Sequence, residues 1–169
     1  MASVDLQRTL TVPSVPARAA ISSILHEISE GRGDWEEFSL YLNFGSLGLP
    51  DVGYVAIPIV LTDLREETEP RHAIRFTMQA RRLPEAFPVF RGATGVDATG
   101  PSNAMLWLAG DYEVPLRGFG DLVNGAVLHG TAAKALENML AELAGAVSAR
   151  VEKREMANAR YRLVFNTGD

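Results

Sequence analysis

The sequence contains no cysteine, which excludes disulfides, thiolate nucleophiles and zinc sites built on cysteine. Its 169 residues include only three histidines, too few for a histidine-rich metal centre. Basic residues are also in the minority, because 16 Lys and Arg stand against 21 Asp and Glu, for a formal net charge of −5. A chain of this charge has no basic field with which to attract nucleic acid or an anionic membrane surface.

A long hydrophobic run is also missing. The uncharged stretches 38–50 and 52–62 contain Gly or Pro and are shorter than the roughly 20 residues that span a bilayer. The first eight residues are too polar for the apolar part of a secretion signal. We therefore expect a soluble, cytoplasmic protein without stable membrane insertion, and its length is that of one domain.

Periodicity predicts a definite order of elements. Residues 4–12 alternate between apolar and polar side chains, which is typical of a strand with one buried face. Helical spacing then joins Ile21, Ile24, Leu25 and Ile28, and the glycines of 31–34 end this helix. The segments predicted as strands are 38–44, 54–64, 74–78, 87–96 and 104–114. Pro58 cannot donate to a ladder, so it predicts an edge strand or a bulge.

The last third of the chain is helical in pattern. Its apolar stripe consists of Ala132, Leu136, Leu140, Leu143, Val147 and Val151. This helix would be about 33 Å long at 1.5 Å per residue. Thr131 is a candidate N-cap, since its hydroxyl can accept a hydrogen bond from a first-turn N–H. The residues Arg160–Phe165 are compatible with a short extra strand, or with a tail that folds back or serves a dimer.

This order of strand, helix, about five antiparallel strands and one long helix is α+β. It resembles the helix-grip fold of the START-like, Bet v 1-like superfamily, which includes polyketide cyclases and lipid-transport proteins (SRPBCC). The segment 106–115 looks like the superfamily's final strand, and 118–122 is similar to its exit into the helix near Gly130. The resemblance implies a domain over 1–155, with 156–169 as a tail. An NTF2-like cone is the alternative, but a long helix after the sheet counts against it.

The resemblance implies a curved antiparallel sheet wrapped around the C-terminal helix, with a cavity between them for apolar molecules. If polar neighbours face water, the strand residues facing this cavity are Leu40, Leu42, Ile57, Ile59, Phe76, Met78, Phe90, Leu106, Leu108 and Tyr112. From the start and face of the helix, His129, Leu136 and Leu140 join them. An empty cavity of about 300 Å³ would cost roughly 7 kcal/mol. We therefore expect the cavity to hold water or ligand, or to be partly collapsed.

Polar residues offer few candidates for chemistry. The hydroxyl of Tyr112 could orient a ligand oxygen. Asp111 and Glu113 share the other side of the same strand, where two carboxylates could act as acid and base. The segment His26-Glu27-Ile28-Ser29-Glu30 lacks the second histidine of a metalloprotease motif, and we expect neither a metal nor a cofactor. His72 lies near Pro70 and Arg71, which predicts a surface position, and Arg75 and Arg91 fall on outward faces.

Three functions remain open at this point. The first is binding or transport of an apolar small molecule, such as a lipid, polyketide or aromatic compound, in the cavity. The second is an enzyme similar to polyketide cyclases and aromatases, in which Tyr112 would act with His129 or Asp111. The third is a non-catalytic protein-interaction module with a packed core and an exposed apolar patch. A homodimer is compatible with all three, and nucleic acid is an expected partner in none.

Overall fold

The computed structural model describes residues 2–32, 38–43, 54–82, 89–113 and 125–165. The elements in chain order are β1 (Ala2–Leu10), α1 (Ser14–Glu30), β2 (Ser39–Asn43), β3 (Tyr54–Glu67), β4 (Ala73–Ala80), β5 (Val89–Gly100), β6 (Asn103–Glu113) and α2 (Gly125–Phe165). This order is the one that the sequence predicts: one strand, one helix, five strands and one long helix.

The six strands form one sheet in the order β1-β6-β5-β4-β3-β2, and every neighbouring pair is antiparallel. Period-2 alternation places one face of each strand in the core. In β4, for example, Ile74, Phe76 and Met78 are buried while Arg75 is exposed. The main core lies between this face and the two helices, so the predicted helix-grip architecture is confirmed.

Helix α1 follows its sequence pattern closely. Its predicted stripe is buried, with Ile21 and Ile24 fully inaccessible to solvent. Pro16 lies in the first turn, where a missing N–H has no helical partner to lose. At the other end Gly31 takes the left-handed conformation, with φ of 59°, and its N–H donates to the carbonyl of Ile28 at 3.2 Å. Glycine adopts this conformation without strain, and the predicted end of the helix is confirmed.

Helix α2 is longer than predicted. It spans 41 residues, about 61 Å, and its stripe from Ala132 to Val151 is buried as expected. Thr131 lies inside the helix, so its assignment as the N-cap is wrong. The short strand at Arg160–Phe165 is also wrong, because these residues continue α2 rather than folding back. Neither Gly nor Pro interrupts 146–165, and Ala, Arg, Glu and Lys favour the helix.

Neither helix in the described part of the chain combines the length with the apolar character needed to cross a bilayer.

Pro58 lies in an interior strand, so the prediction of an edge strand is wrong. Strand β3 pairs with β2 on one side and with β4 on the other. The irregularity in β3 falls between Thr62 and Arg65, not at Pro58. The carbonyl of Pro58 accepts from the N–H of Arg81, just after β4 ends. In a strand, the nitrogen and the carbonyl of one residue face the same neighbouring strand. The nitrogen of Pro58, which carries no hydrogen, therefore faces the position at which β4 has ended.

A small second cluster lies on the opposite, convex face of the sheet. It contains Ala73, Ala93 and Trp107, with Ala109 packed against them. The guanidinium of Arg71 lies 4.0 Å from the centre of the Trp107 ring. The same side chain donates hydrogen bonds to the carboxylate of Asp97. Trp107 is therefore shielded from solvent by a charged side chain rather than by a helix.

Candidate functional site

A small cavity lies between the inner face of the sheet and α2. The described residues that line it are Leu40, Ile57, Ile59, Met78, Gln79, Ala80, Phe90, Tyr112, Ala132, Ala135 and Leu136. Its volume is about 30 Å³, which is room for one or two water molecules. Including the part open to solvent, the space around it measures about 440 Å³. The hollow is therefore largely closed by its own side chains.

The structure brings together seven of the residues that sequence analysis placed at the cavity. These are Leu40, Ile57, Ile59, Met78, Phe90, Tyr112 and Leu136. Four others, Phe76, Leu106, Leu108 and Leu140, are buried in the core without lining the cavity. They belong to the core cluster that includes Ile21 and Ile24 of α1. The side chains of Leu42 and His129 lie outside the described residues.

Four lining residues were not among the expected site residues. Ala132 belongs to the apolar stripe of α2, and Ala80 follows Met78 at strand spacing. The sequence pattern therefore indicated an inward position for both residues. Ala135 lies three residues after Ala132, and its small side chain leaves space rather than filling it. Gln79 was expected on the outer face. It borders the cavity next to Met78 and Ala80, which also line it.

Phe90 and Tyr112 form a neighbouring pair on the cavity wall. They lie opposite each other in the β5–β6 ladder and are 1% and 4% exposed. The Phe90 ring packs against Phe76, with 5.6 Å between the ring centres and an angle of 43° between the planes. Burial raises the pKa of the Tyr112 phenol, so it stays protonated at neutral pH and keeps a proton to donate. This hydroxyl and the Gln79 amide are the polar side-chain groups among the described lining residues.

The two carboxylates considered for acid–base chemistry do not reach the cavity. Asp111 and Glu113 flank Tyr112 in β6, so their side chains point to the opposite face of the sheet, and both are exposed. Glu113 lies 3.9 Å from the guanidinium of Arg91, which is exposed on that face, as is Arg75. These charged residues therefore form a solvated outer surface.

His72 is buried, so its predicted surface position is wrong. Its side chain is 7% exposed, and Nε2 lies 3.2 Å from Oε1 of Glu66. The other oxygen of Glu66 accepts from the hydroxyl of Ser22 at 2.9 Å. His72 lies two residues before Ile74, and alternate residues along a strand face the same side of the sheet. The imidazole therefore faces the core, as the side chain of Ile74 does.

This constellation is not a nucleophilic triad. The carboxylate of Glu66 stands between Ser22 and His72, whereas a triad needs the imidazole between the hydroxyl and the carboxylate. His26 is exposed, with Nδ1 2.9 Å from the carbonyl oxygen of Ser22. Within the described ranges, no group of three or more histidine or acidic residues could hold a metal ion. The interactions of Ser22, Glu66 and His72 instead tie α1 to the ends of β3 and β4.

No family model matches the sequence, and no curated protein matches it. Among solved structures, the chain is similar to a conserved protein from Geobacillus kaustophilus, with 14% identity, a TM-score of 0.49 and coverage of 90% of this chain and 96% of that one. A START superfamily protein from Mycobacterium smegmatis has 16% identity and a TM-score of 0.45, with coverage of 89% and 97%. An aromatase/cyclase from a Streptomyces species has 13% identity and a TM-score of 0.37, with coverage of 96% and 95%.

These identities and TM-scores are low, so what those proteins bind or catalyse is not carried over to this chain. The order of elements, the antiparallel sheet and the long helix across its concave face stand independently of them. By these features the chain has the helix-grip fold of the START-like, Bet v 1-like superfamily.

Proposed function

We propose that this protein binds an apolar small molecule in the cavity between the sheet and α2. The observation that carries the proposal is the character of the lining. Nine of its eleven described residues have hydrocarbon or thioether side chains, and only Gln79 and Tyr112 are polar. Apolar walls with a few polar groups are typical of small-molecule sites, because burial supplies affinity and the polar groups set orientation.

The small closed volume fits a cavity that collapses when it is empty. At about 24 cal/mol per Å³, a void of 30 Å³ costs less than about 1 kcal/mol. Ligand pockets usually measure about 300–1,000 Å³, so a ligand must displace side chains to enter this cavity of about 30 Å³. Met78 is unbranched and changes rotamer easily, and Leu40 is only partly buried on β2. These two side chains are the ones we expect to move.

The lining also favours binding and carriage over chemical conversion. Within the described lining, no side chain is a carboxylate, an imidazole or an amine. A ligand with a single oxygen near Tyr112 could accept a hydrogen bond from its hydroxyl while the rest of the molecule contacts hydrocarbon. We therefore propose a largely apolar ligand with one or two polar atoms.

Titration with N-phenyl-1-naphthylamine, a neutral apolar fluorophore, tests this proposal. Wild-type protein should give a saturable, one-to-one rise in fluorescence. Ala135→Leu should weaken dye binding about tenfold or more, equivalent to about 1.4 kcal/mol, because the added carbons fill the cavity. The matched control is Ala133→Leu, two residues along the same helix and outside the cavity lining, which should bind as wild type. Circular dichroism and thermal melting would confirm that both variants are folded.

Two results would overturn the proposal. The first is the absence of saturable dye binding together with the absence of any retained small molecule in native mass spectrometry. The second is an equal loss of binding in Ala135→Leu and Ala133→Leu, which would place the dye away from this cavity.

A further inference from the structure

The face of α2 turned away from the core differs between its two halves. The half over the body of the protein carries small, exposed side chains at Ala141, Gly145 and Ala149, with the acidic Glu142 beside them. The half beyond the body carries Met156 and Arg160, both exposed. These residues recur at intervals of three and four, so they share one side of the helix.

The second half of this face lies beyond the buried stripe of α2. The buried stripe of α2 ends at Val151, and every residue from 152 to 161 is exposed. Met156 is 58% exposed, so its side chain is accessible to a partner. A partner that covers this segment would bury Met156.

We propose that two copies of this chain associate through this face of α2, with the two helices antiparallel and the two-fold axis between Glu152 and Lys153. In this register Met156 of each copy lies over Ala149 of the other. Glu152 faces Lys153 across the axis. Arg160 lies over Gly145, one helical turn from Glu142.

Size complementarity favours the antiparallel arrangement. Small residues allow two helix axes to approach closely, and each large Met156 side chain then contacts a small residue opposite. An added Cβ on Gly145 would meet nothing within 4 Å in its own chain, so this part of the surface is open. A parallel pair would instead place Met156 against Met156 and leave the small residues facing one another across a gap.

Charge complementarity favours the same register. Burial raises the pKa of the Glu142 carboxyl, and no described cation of its own chain forms an ion pair with it. Arg160 likewise forms no ion pair with a described acidic residue. The antiparallel pair brings these opposite charges together, whereas a parallel pair would place Glu142 beside Glu142. The segment 152–165 carries four basic and two acidic residues, whereas the rest of the chain carries twelve basic and nineteen acidic residues. The antiparallel pair places this basic segment of each copy beside the acidic remainder of the other.

The area predicts a reversible dimer. The face from 142 to 160 is about 29 Å long and about 10 Å wide, so the pair buries on the order of 600–1,000 Å² in total. Stable interfaces usually bury about 1,200–2,000 Å². We therefore expect an equilibrium between monomer and dimer that depends on concentration.

The absence of cysteine from the sequence allows a precise test by disulfide trapping. When Ala149→Cys and Met156→Cys proteins are mixed and oxidised, a disulfide-linked heterodimer should form. Neither variant alone should crosslink, because identical positions lie about 10 Å apart along the axis, beyond disulfide reach. Ser29→Cys, exposed on α1, mixed with Met156→Cys is the control and should not crosslink. Crosslinking of Met156→Cys alone, or none in the mixture, would overturn the proposal.

Sedimentation equilibrium tests the charge pairing independently. Arg160→Glu and Glu142→Arg should each weaken the dimer about tenfold or more, and the double variant should recover most of the loss. A wild-type protein that stays monomeric up to about 100 μM, or single variants that dimerise normally, would contradict the proposal.

Another concave surface near α2 is a groove of about 480 Å³ beside the start of α1, lined by Val15, Val151 and Arg154 among others. A dimer through that groove would leave positions 149 and 156 apart. Dimerisation without the mixed disulfide would therefore also count against the proposed face.

Discussion

Gly92 and Gly110 lie opposite each other in the β5–β6 ladder, and the ring of Phe90 lies over both. A Cβ on Gly92 would lie 2.3 Å from the carbonyl oxygen of Ala109 and 2.5 Å from the Phe90 ring. Side-chain carbons do not approach other atoms this closely. The paired glycines therefore leave the space that the Phe90 ring occupies in the cavity wall.

Gly110→Ala should destabilise the fold. Its Cβ would lie 2.5 Å from the carbonyl oxygen of Arg91 and 2.8 Å from the Phe90 ring, so backbone and ring must both shift. We expect the free energy of unfolding to fall by about 1–3 kcal/mol, measured by urea denaturation. The control is Gly130→Ala in α2, where an added Cβ meets nothing within 4 Å and helix stability should rise by up to about 1 kcal/mol. Equal effects at the two positions would contradict this account.

Met78→Ala should destabilise the protein and strengthen dye binding. Met78 is 2% exposed and lines the cavity, so truncation removes packing and enlarges the space for a ligand. We expect a loss of about 2–5 kcal/mol in unfolding free energy. Leu106→Ala is the control, since this residue is fully buried but does not line the cavity. It should cost similar stability without improving dye binding, and improved binding in both variants would argue against a specific cavity.

Glu27→Gln should lower stability in a pH-dependent way. Arg150 donates to both carboxylate oxygens of Glu27, at 2.7 and 2.8 Å, and joins α2 to α1. The hydrogen bonds from Arg150 hold the pKa of Glu27 below its usual value of 4.5. The stabilisation is therefore present above pH 4.5 and is lost as the pH falls through the lower pKa of the folded state.

We expect a loss of up to about 1 kcal/mol at pH 7, since the pair is partly exposed. The difference from wild type should close as the pH falls below 4.5, which urea titrations at several pH values would measure. Glu69→Gln, in an exposed turn, is the control and should leave stability nearly unchanged. A difference that persists undiminished in acid would show that the ion pair is not its cause.

Arg71→Ala should expose Trp107. The guanidinium covers the indole ring, and its removal should cost about 1 kcal/mol and shift the tryptophan emission to the red. The emission is best measured in a Trp35→Phe background, which leaves Trp107 as the single indole. Asp97→Asn removes the charge partner of Arg71 but leaves the stacked side chain, so its emission should stay close to wild type. A red shift of the same size in both variants would contradict shielding by Arg71.

Periodic patterns predicted the elements of this fold well. The stripe of α1 and the alternation in β4 record which side chains face the core, because each element repeats with a fixed geometry. The order of elements predicted the helix-grip architecture through its resemblance to the START-like, Bet v 1-like superfamily. The wrong predictions for α2 concern residues at which its periodic pattern of apolar side chains ends. The buried stripe of α2 ends at Val151, but the helix continues, since extending an existing helix does not require burial.

The predictions for His72 and Pro58 were wrong for a different reason. The neighbours of His72 in the sequence, Pro70 and Arg71, indicated a surface turn. In the structure the alternation of buried side chains in β4 extends back to His72, two residues before Ile74. Pro58 was interpreted from proline chemistry alone. Whether its missing N–H matters depends on where β4 stops beside it, and that is a property of two strands together.

The alternation of apolar and polar residues, with the helical stripes, predicted the strands, the two helices and the face that each element buries, because these periods arise from backbone geometry within each element. Which inward residues border the cavity and which are packed beneath α1 depended on the register between strands and on the path of α2 across them. Contacts between segments distant in sequence set both, so Phe90 and Leu106 look alike in the sequence and occupy different places in the fold.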